Sequence, residues 1–260
     1  MRVHMLKGFI LIVGWVAFFV PGTAAHDGDK GGAAWQDLAP ETYPLSRQWV
    51  DSAEFPWRTI GRVNLAGRGH CSGVLVAEHV VLTSAHCLWN RRSGRWYPSQ
   101  YITFVAGAEL DGFQGYSKVS GYTVANGFSP ALSNEFSAVK DDWALLKLKK
   151  PLGRPLGFIA LGDHRKLSVG QHLIQAGYRS DRAQVLTVER NCRLAQWYDE
   201  QRVFSTSCHT LDGDSGGPVL IEQDNRWLLV GIHRGRTVNN QSLVVSSGNI
   251  VTVLESSTDH

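Results

Sequence analysis

From Thr59 onward the apolar positions fall in short runs, each broken by turn residues before a helix could complete three turns. Gly73–Val76, His79–Leu82, Tyr101–Val105, Ala144–Leu148 and Trp227–Ile232 each predict a strand. Gly67-Arg68-Gly69, Ser93-Gly94, Asp111-Gly112, Gly153-Arg154-Pro155 and Asp212-Gly213 predict the turns between strands. Helical periodicity is scarce, and Asn249–Ser256 fits either a last strand or a short helix. Many short strands with frequent punctuation predict an all-β sandwich or barrel.

The N-terminus follows a different pattern. Arg2 and Lys7 precede a mostly apolar run, Phe9–Val20, and the small residues Pro21-Gly22-Thr23-Ala24-Ala25 follow it. This is the three-part layout of a secretory signal, with cleavage expected after Ala25. An uncleaved anchor is the alternative, but the run is shorter than the roughly 20 residues of a membrane span. Residues 26–47 read as a mobile lead or short pro-segment, and 48–260 as the folded part. The chain has 260 residues, 43% hydrophobic and 19% charged, which excludes a disordered, collagen-like or coiled-coil protein. Its net charge is +3, and losing Arg2 and Lys7 with the signal leaves +1. With no basic run, nucleic acid is not an expected partner, nor is a membrane after signal cleavage.

Cys71 and Cys87 stand 16 apart, as do Cys192 and Cys208. Four cysteines allow three connectivities, and spacing does not choose among them. Neither pair has the close spacing of a structural zinc site, and an exported chain favours disulfides. No metal and no cofactor are expected.

Three segments carry candidate chemistry: Leu82-Thr83-Ser84-Ala85-His86-Cys87, Asp142-Trp143-Ala144-Leu145-Leu146 and Gly213-Asp214-Ser215-Gly216-Gly217-Pro218. Singly, a histidine at a strand end or an aspartate before an apolar run is usually structural. A serine among three glycines has an exposed hydroxyl and a backbone that a ligand can approach. Together, in the order His, Asp, Ser, they resemble the chymotrypsin-like serine peptidases, whose signatures are Thr-Ala-Ala-His-Cys, Asp-Ile-Ala-Leu and Gly-Asp-Ser-Gly-Gly-Pro. The chain departs by Ser84 for Ala and Trp143 for Ile, and the resemblance runs from about Trp57 to Val253.

The resemblance implies two six-stranded antiparallel β-barrels, about 57–150 and about 160–254, with the active site in the cleft between them. It implies Cys71–Cys87 and Cys192–Cys208 disulfides, each closing a loop worth about 3 kcal/mol in the chain-entropy account. It assigns Ser215 as nucleophile, His86 as general base and acid, and Asp142 as the group that orients His86. The backbone N–H groups of Gly213 and Ser215 form the oxyanion hole. The chemistry agrees: an imidazole titrating near ~6.5 takes the serine proton near neutral pH and returns it to the leaving amine. Asp141 competes with Asp142, but if the segment is a strand only one of the two faces His86. The motif selects Asp142.

By the same resemblance His209, six before the nucleophile, is the pocket base, where trypsin-like enzymes carry Asp. Thr210 and the His233 of Gly231-Ile232-His233 resemble the residues with which bacterial glutamyl endopeptidases bind an acidic side chain. Beside the substrate's charge His233 could become an imidazolium; the alternative is an ordinary strand histidine bonded to backbone. Arg234 and Asp214-Ser215-Gly216-Gly217 depart from that pattern. Asp214 pairs either with a new N-terminus, freed for instance near Ser46-Arg47, or with an internal Arg that needs no processing. The expected protein is a monomeric, secreted or periplasmic endopeptidase acting on polypeptides. A catalytically inactive homologue serving as a binding module is the alternative. After Ser215 only 45 residues remain, too few for the peptide-binding modules of a chaperone-protease.

Overall fold

The structure is a computed structural model that describes residues 47–67, 69–133, 135–237, 241–251 and 253–254. The expected signal segment and the lead up to Ser46 lie outside these residues.

Six strands close the first barrel: β1 (Ile60–Leu65), β2 (His70–Ala77), β3 (Val80–Thr83), β4 (Ile102–Ala106), β5 (Gly115–Val124) and β6 (Ala144–Leu148). Their order is β1-β2-β3-β6-β5-β4, and β4 pairs back onto β1. The second barrel comprises β7 (His172–Gly177), β8 (Thr187–Tyr198), β9 (Val203–His209), β10 (Pro218–Gln223), β11 (Arg226–Arg236) and β12 (Gln241–Ser246). Its order is β8-β7-β10-β11-β12-β9, closed by β9 on β8. Every pairing within the two barrels is antiparallel. Gln48–Trp49 adds an edge to β8, and Ala160–Leu161 runs parallel beside β11.

Period-2 alternation places the cores. In β4, Ile102, Phe104 and Ala106 are fully buried while Thr103 and Val105 are half-buried. Phe104 joins Val63, Leu75, Val81 and Leu146 inside the first barrel. Phe204 packs with Leu173, Leu194, Val230 and Val244 inside the second. A third cluster draws on both barrels, with Ile60, Val74 and Leu82 against Ala176, Leu220 and Ile232. Truncating a buried phenylalanine such as Phe104 costs about 3–5 kcal/mol.

One local expectation needs correction, and one open choice is decided. Gly153-Arg154-Pro155 is not a turn but opens a one-turn helix, Gly153–Leu156. Pro155 falls within the first turn, where no N–H partner is needed. Asn249–Ser256 is helical where described: a 3₁₀ turn covers Ser247–Asn249, and Val251, Val253 and Leu254 are helical.

Candidate active site

β3 ends at Thr83, and the chain enters a 3₁₀ turn, Ala85–Leu88, that carries His86. Cys87 in the same turn is joined to Cys71 on β2, which ties the histidine to the barrel wall. Asp142 caps a 3₁₀ helix, Phe136–Asp141, just before β6. It is wholly buried and holds the histidine twice. Oδ1 accepts the His86 backbone N–H at 2.8 Å, and Oδ2 lies 2.8 Å from Nδ1 of the ring. Burial alone would raise the Asp142 carboxyl, but the charge and hydrogen bonds of His86, with Arg234, outweigh it and hold it below its ordinary value. The carboxylate therefore stays ionised. Asp141 and Asp142 are not strand neighbours, as expected from sequence, but the last two residues of a helical turn. Asp141 is half-buried with its carboxylate against Gly127.

The serine loop lies between β9 and β10, and three glycines permit its path. Gly213 and Gly216 take φ of 93° and 79°, in the left-handed region that favours glycine. A Cβ on Gly216 would strike the Ser72 carbonyl, and one on Gly217 the Ala176 carbonyl. Ser72 secures the loop at two points: its N–H donates to Ser215 O at 2.8 Å, and its hydroxyl to Gly213 O at 2.8 Å. The Cys87 sulfur lies 3.8 Å from His86 Nε2 and 4.0 Å from Ser215 O, so the ring edge and the serine loop meet at one disulfide. The N–H groups of Asp214, Gly216 and Gly217 donate to Leu211, His233 and Asp214 carbonyls. Among the described residues those of Gly213 and Ser215 donate to no backbone carbonyl, which leaves two open donors in the serine loop.

Asp214 is fully buried. Arg47 Nη1 lies 2.6 Å from its Oδ1, while Thr210 Oγ1 and the Leu211 N–H each donate to Oδ2 at 3.1 Å. Arg47 is itself buried and also reaches Thr187 Oγ1 at 3.3 Å. A guanidinium from the start of the described chain is therefore the cation beside Asp214.

The three expected pocket residues differ in placement. His209 is exposed at the end of β9, opposite Gln241. Thr210 is buried, and its hydroxyl is engaged by Asp214. His233 is fully buried, with Nδ1 2.6 Å from Ser242 Oγ and Nε2 without a partner among the described residues. Burial pushes its imidazole down to about 4, against the raising effect of Asp214. In the free protein His233 is thus neutral near pH 7, and the imidazolium expected from sequence concerns the substrate-bound state. Its carbonyl joins the elements of the site, accepting the Ser84 hydroxyl and the Gly216 N–H, both at 2.7 Å. Arg234, seen in the sequence only as a departure from pattern, places Nε 3.1 Å from Asp142 Oδ2.

Cys71 and Cys87 lie near His86, and Cys192 and Cys208 near Glu189. All four sulfurs are consumed in disulfides, so neither group offers a thiolate to a metal.

The trypsin family profile matches residues 50–247. A trypsin-like protease of Streptomyces glaucescens is 29% identical over 62% of this chain and 63% of its own length. A glutamyl endopeptidase of Bacillus licheniformis is 21% identical over 68% of this chain and 53% of its own, and human serine protease 23 is 28% identical over 64% and 48%. The chain thus spans about half to three-fifths of the length of these relatives. A solved Glu endopeptidase in complex with MPD superposes with a TM-score of 0.69 at 19% identity, covering 82% of this chain and 97% of that one. That likeness concerns the double-barrel fold. The match over most of the chain, carried on that fold, makes this protein a member of the trypsin family.

Proposed function

We propose that the chain is an exported serine endopeptidase in which Ser215 attacks a peptide carbonyl, His86 moves the proton and Asp142 orients His86. The observation that carries this reading is the two-point grip of Asp142 on His86 beside a serine loop with two open N–H donors. An Nδ1–H held by Asp142 leaves Nε2 to accept the Ser215 proton. As the Ser215 Oγ–carbon bond forms, negative charge on the carbonyl oxygen is met by the N–H groups of Gly213 and Ser215. One such donor is worth roughly 3–4 kcal/mol in the transition state. The imidazolium then gives its proton to the leaving amine as the peptide C–N bond breaks. Water, deprotonated by the same imidazole, releases the acyl group from Ser215.

The preference we assign is for an acidic side chain ahead of the scissile bond, bound at His233. A neutral ring that accepts from Ser242 at Nδ1 carries its proton on Nε2, and that buried Nε2 lacks a partner among the described residues. A buried unpaired donor costs about 1–3 kcal/mol, and a substrate carboxylate would relieve it. Thr210, bound to Asp214, supports the loop in this reading and does not contact the substrate. We assign the same supporting role to Arg47, so that no newly freed N-terminus is required. The two disulfides and the expected signal support export.

The test is incubation of the protein and its Ser215→Ala variant with a mixed peptide library, with cut sites read by mass spectrometry. Cuts after Glu or Asp that vanish in Ser215→Ala are expected. Serine-dependent cuts after other residues would remove the acidic preference and leave the mechanism. No serine-dependent cut at all, with Ser215 inert to an organophosphorus probe, would make the protein a binding module.

A further inference from the structure

Arg234 sits where β11 and β12 lose register: His233 pairs with Val244 and Gly235 with Leu243, so Arg234 is the extra residue of a bulge. A bulge re-aims the side chain that it carries. Here the guanidinium turns to Asp142, with Nε 3.1 Å from the same Oδ2 that lies 2.8 Å from His86 Nδ1. The Arg234 side chain is 18% exposed and the Asp142 carboxylate not at all. One buried oxygen is therefore shared by an imidazole and a permanent cation.

We infer that Arg234 is a positioning residue for the reaction: its fixed charge, in ion-pair rather than hydrogen-bond contact, attracts the Asp142 carboxylate and offsets part of its pull on a protonated His86, so that hydrolysis persists to lower pH than a His–Asp pair alone allows. The inference rests on the His86–Asp142–Ser215 reading above. A guanidinium does not deprotonate in the working range, so its charge is constant. A cation beside the pair disfavours a second positive charge on the ring, and more strongly out of bulk water than in it. Among the described residues, other charged and titratable groups near the site are engaged elsewhere. Lys140 lies 3.5 Å from Asp199, and Asp141 turns to Gly127. Asp214 is paired with Arg47. Burial pushes down the imidazoles of both His70, 2.8 Å from the Tyr178 carbonyl, and His233. Among the described residues, the charged groups that act on Asp142 are His86 and Arg234.

The experiment is the pH dependence of kcat/KM on an uncharged peptide substrate for the wild type, Arg234→Gln and Arg234→Lys. Removing the cation should move the acid limb up by roughly one pH unit, the scale of a charge about 5 Å away in a partly buried site. Lysine, which keeps the charge, should return the limb to the wild-type position. Arg234→Met, with a similar stem and no charge, replaces the Gln variant if that one does not fold. A lower plateau with an unmoved limb in the neutral variant would make Arg234 a packing residue and overturn the inference. Ser215→Ala run alongside separates the failures. If wild-type hydrolysis does not depend on Ser215, the functional reading falls and takes this inference with it. If it does, an unmoved limb sinks the inference alone.

Discussion

At the scale of single residues the two adjacent aspartates are the sharpest test. Asp142 is buried and contacts His86 through both oxygens, whereas Asp141 is half-buried beside Gly127. Asp142→Asn keeps the shape and loses the charge, and an amide that turns its NH₂ to the ring enforces the wrong tautomer. Turnover should drop about ten-thousandfold, as it does when such an aspartate is amidated elsewhere. Asp141→Asn should stay within a few-fold of wild type. Steady-state kinetics of both variants decide, and the reverse ranking would transfer the orienting role to Asp141. The choice of Asp142 was legible because it directly precedes the Trp143-Ala144-Leu145 run, although a helical turn separates the two carboxylates, not strand alternation. Arg234 on Asp142 was not legible, since a bulge depends on how β11 pairs with β12 and leaves no mark in local pattern.

At the scale of elements, β11 and β12 enclose His233. Its imidazole is pushed down to about 4 by burial, against an ordinary value of 6.5. The folded state therefore refuses a proton that the unfolded chain accepts below about 6.5. The sign follows: His233 costs nothing above pH 6.5, and stability is lost progressively as pH falls from there toward 4. The full span corresponds to roughly 3 kcal/mol. Denaturant melts at pH 7 and pH 4.5 should show this loss in the wild type and a smaller one in His233→Gln, which keeps the size without the titration. Equal losses in both proteins would place the acid sensitivity elsewhere. The strands themselves were readable wherever one face is buried, as in Ile102-Thr103-Phe104-Val105-Ala106. The charge state of His233 was not, because desolvation is a property of the closed barrel and not of the Gly-Ile-His segment. Gly153-Arg154-Pro155 departs from the expected turn for a related reason: glycine and proline punctuate a turn and the first turn of a helix alike.

At the scale of the whole molecule, one ion pair joins residues 167 apart in sequence. Arg47 precedes the edge strand on β8, and Asp214 immediately precedes Ser215. No local pattern could reveal that pairing, although a choice between a freed N-terminus and an internal arginine could be framed from sequence. The pair is buried at both ends, with side-chain exposures of 4% and 0%. Removing one partner of such a pair strands the other charge and typically costs about 3–5 kcal/mol. Arg47→Met should therefore lower stability by that order. It should also slow labelling of Ser215 by an organophosphorus probe at least tenfold, because Asp214 shapes the turn that presents the Gly213 and Ser215 N–H groups. The same logic predicts how the chain responds to shortening. Proteins beginning at residue 26 and at Ser46 should be equally active, since both keep Arg47, whereas one beginning at Gln48 should be weakly active even when folded. Activity confined to the form that begins at Gln48 would show a new N-terminus doing the work assigned to the guanidinium. Full activity in all three would show that Asp214 needs no cation, and that the loop is held by Ser72, Thr210 and its own glycine-permitted path.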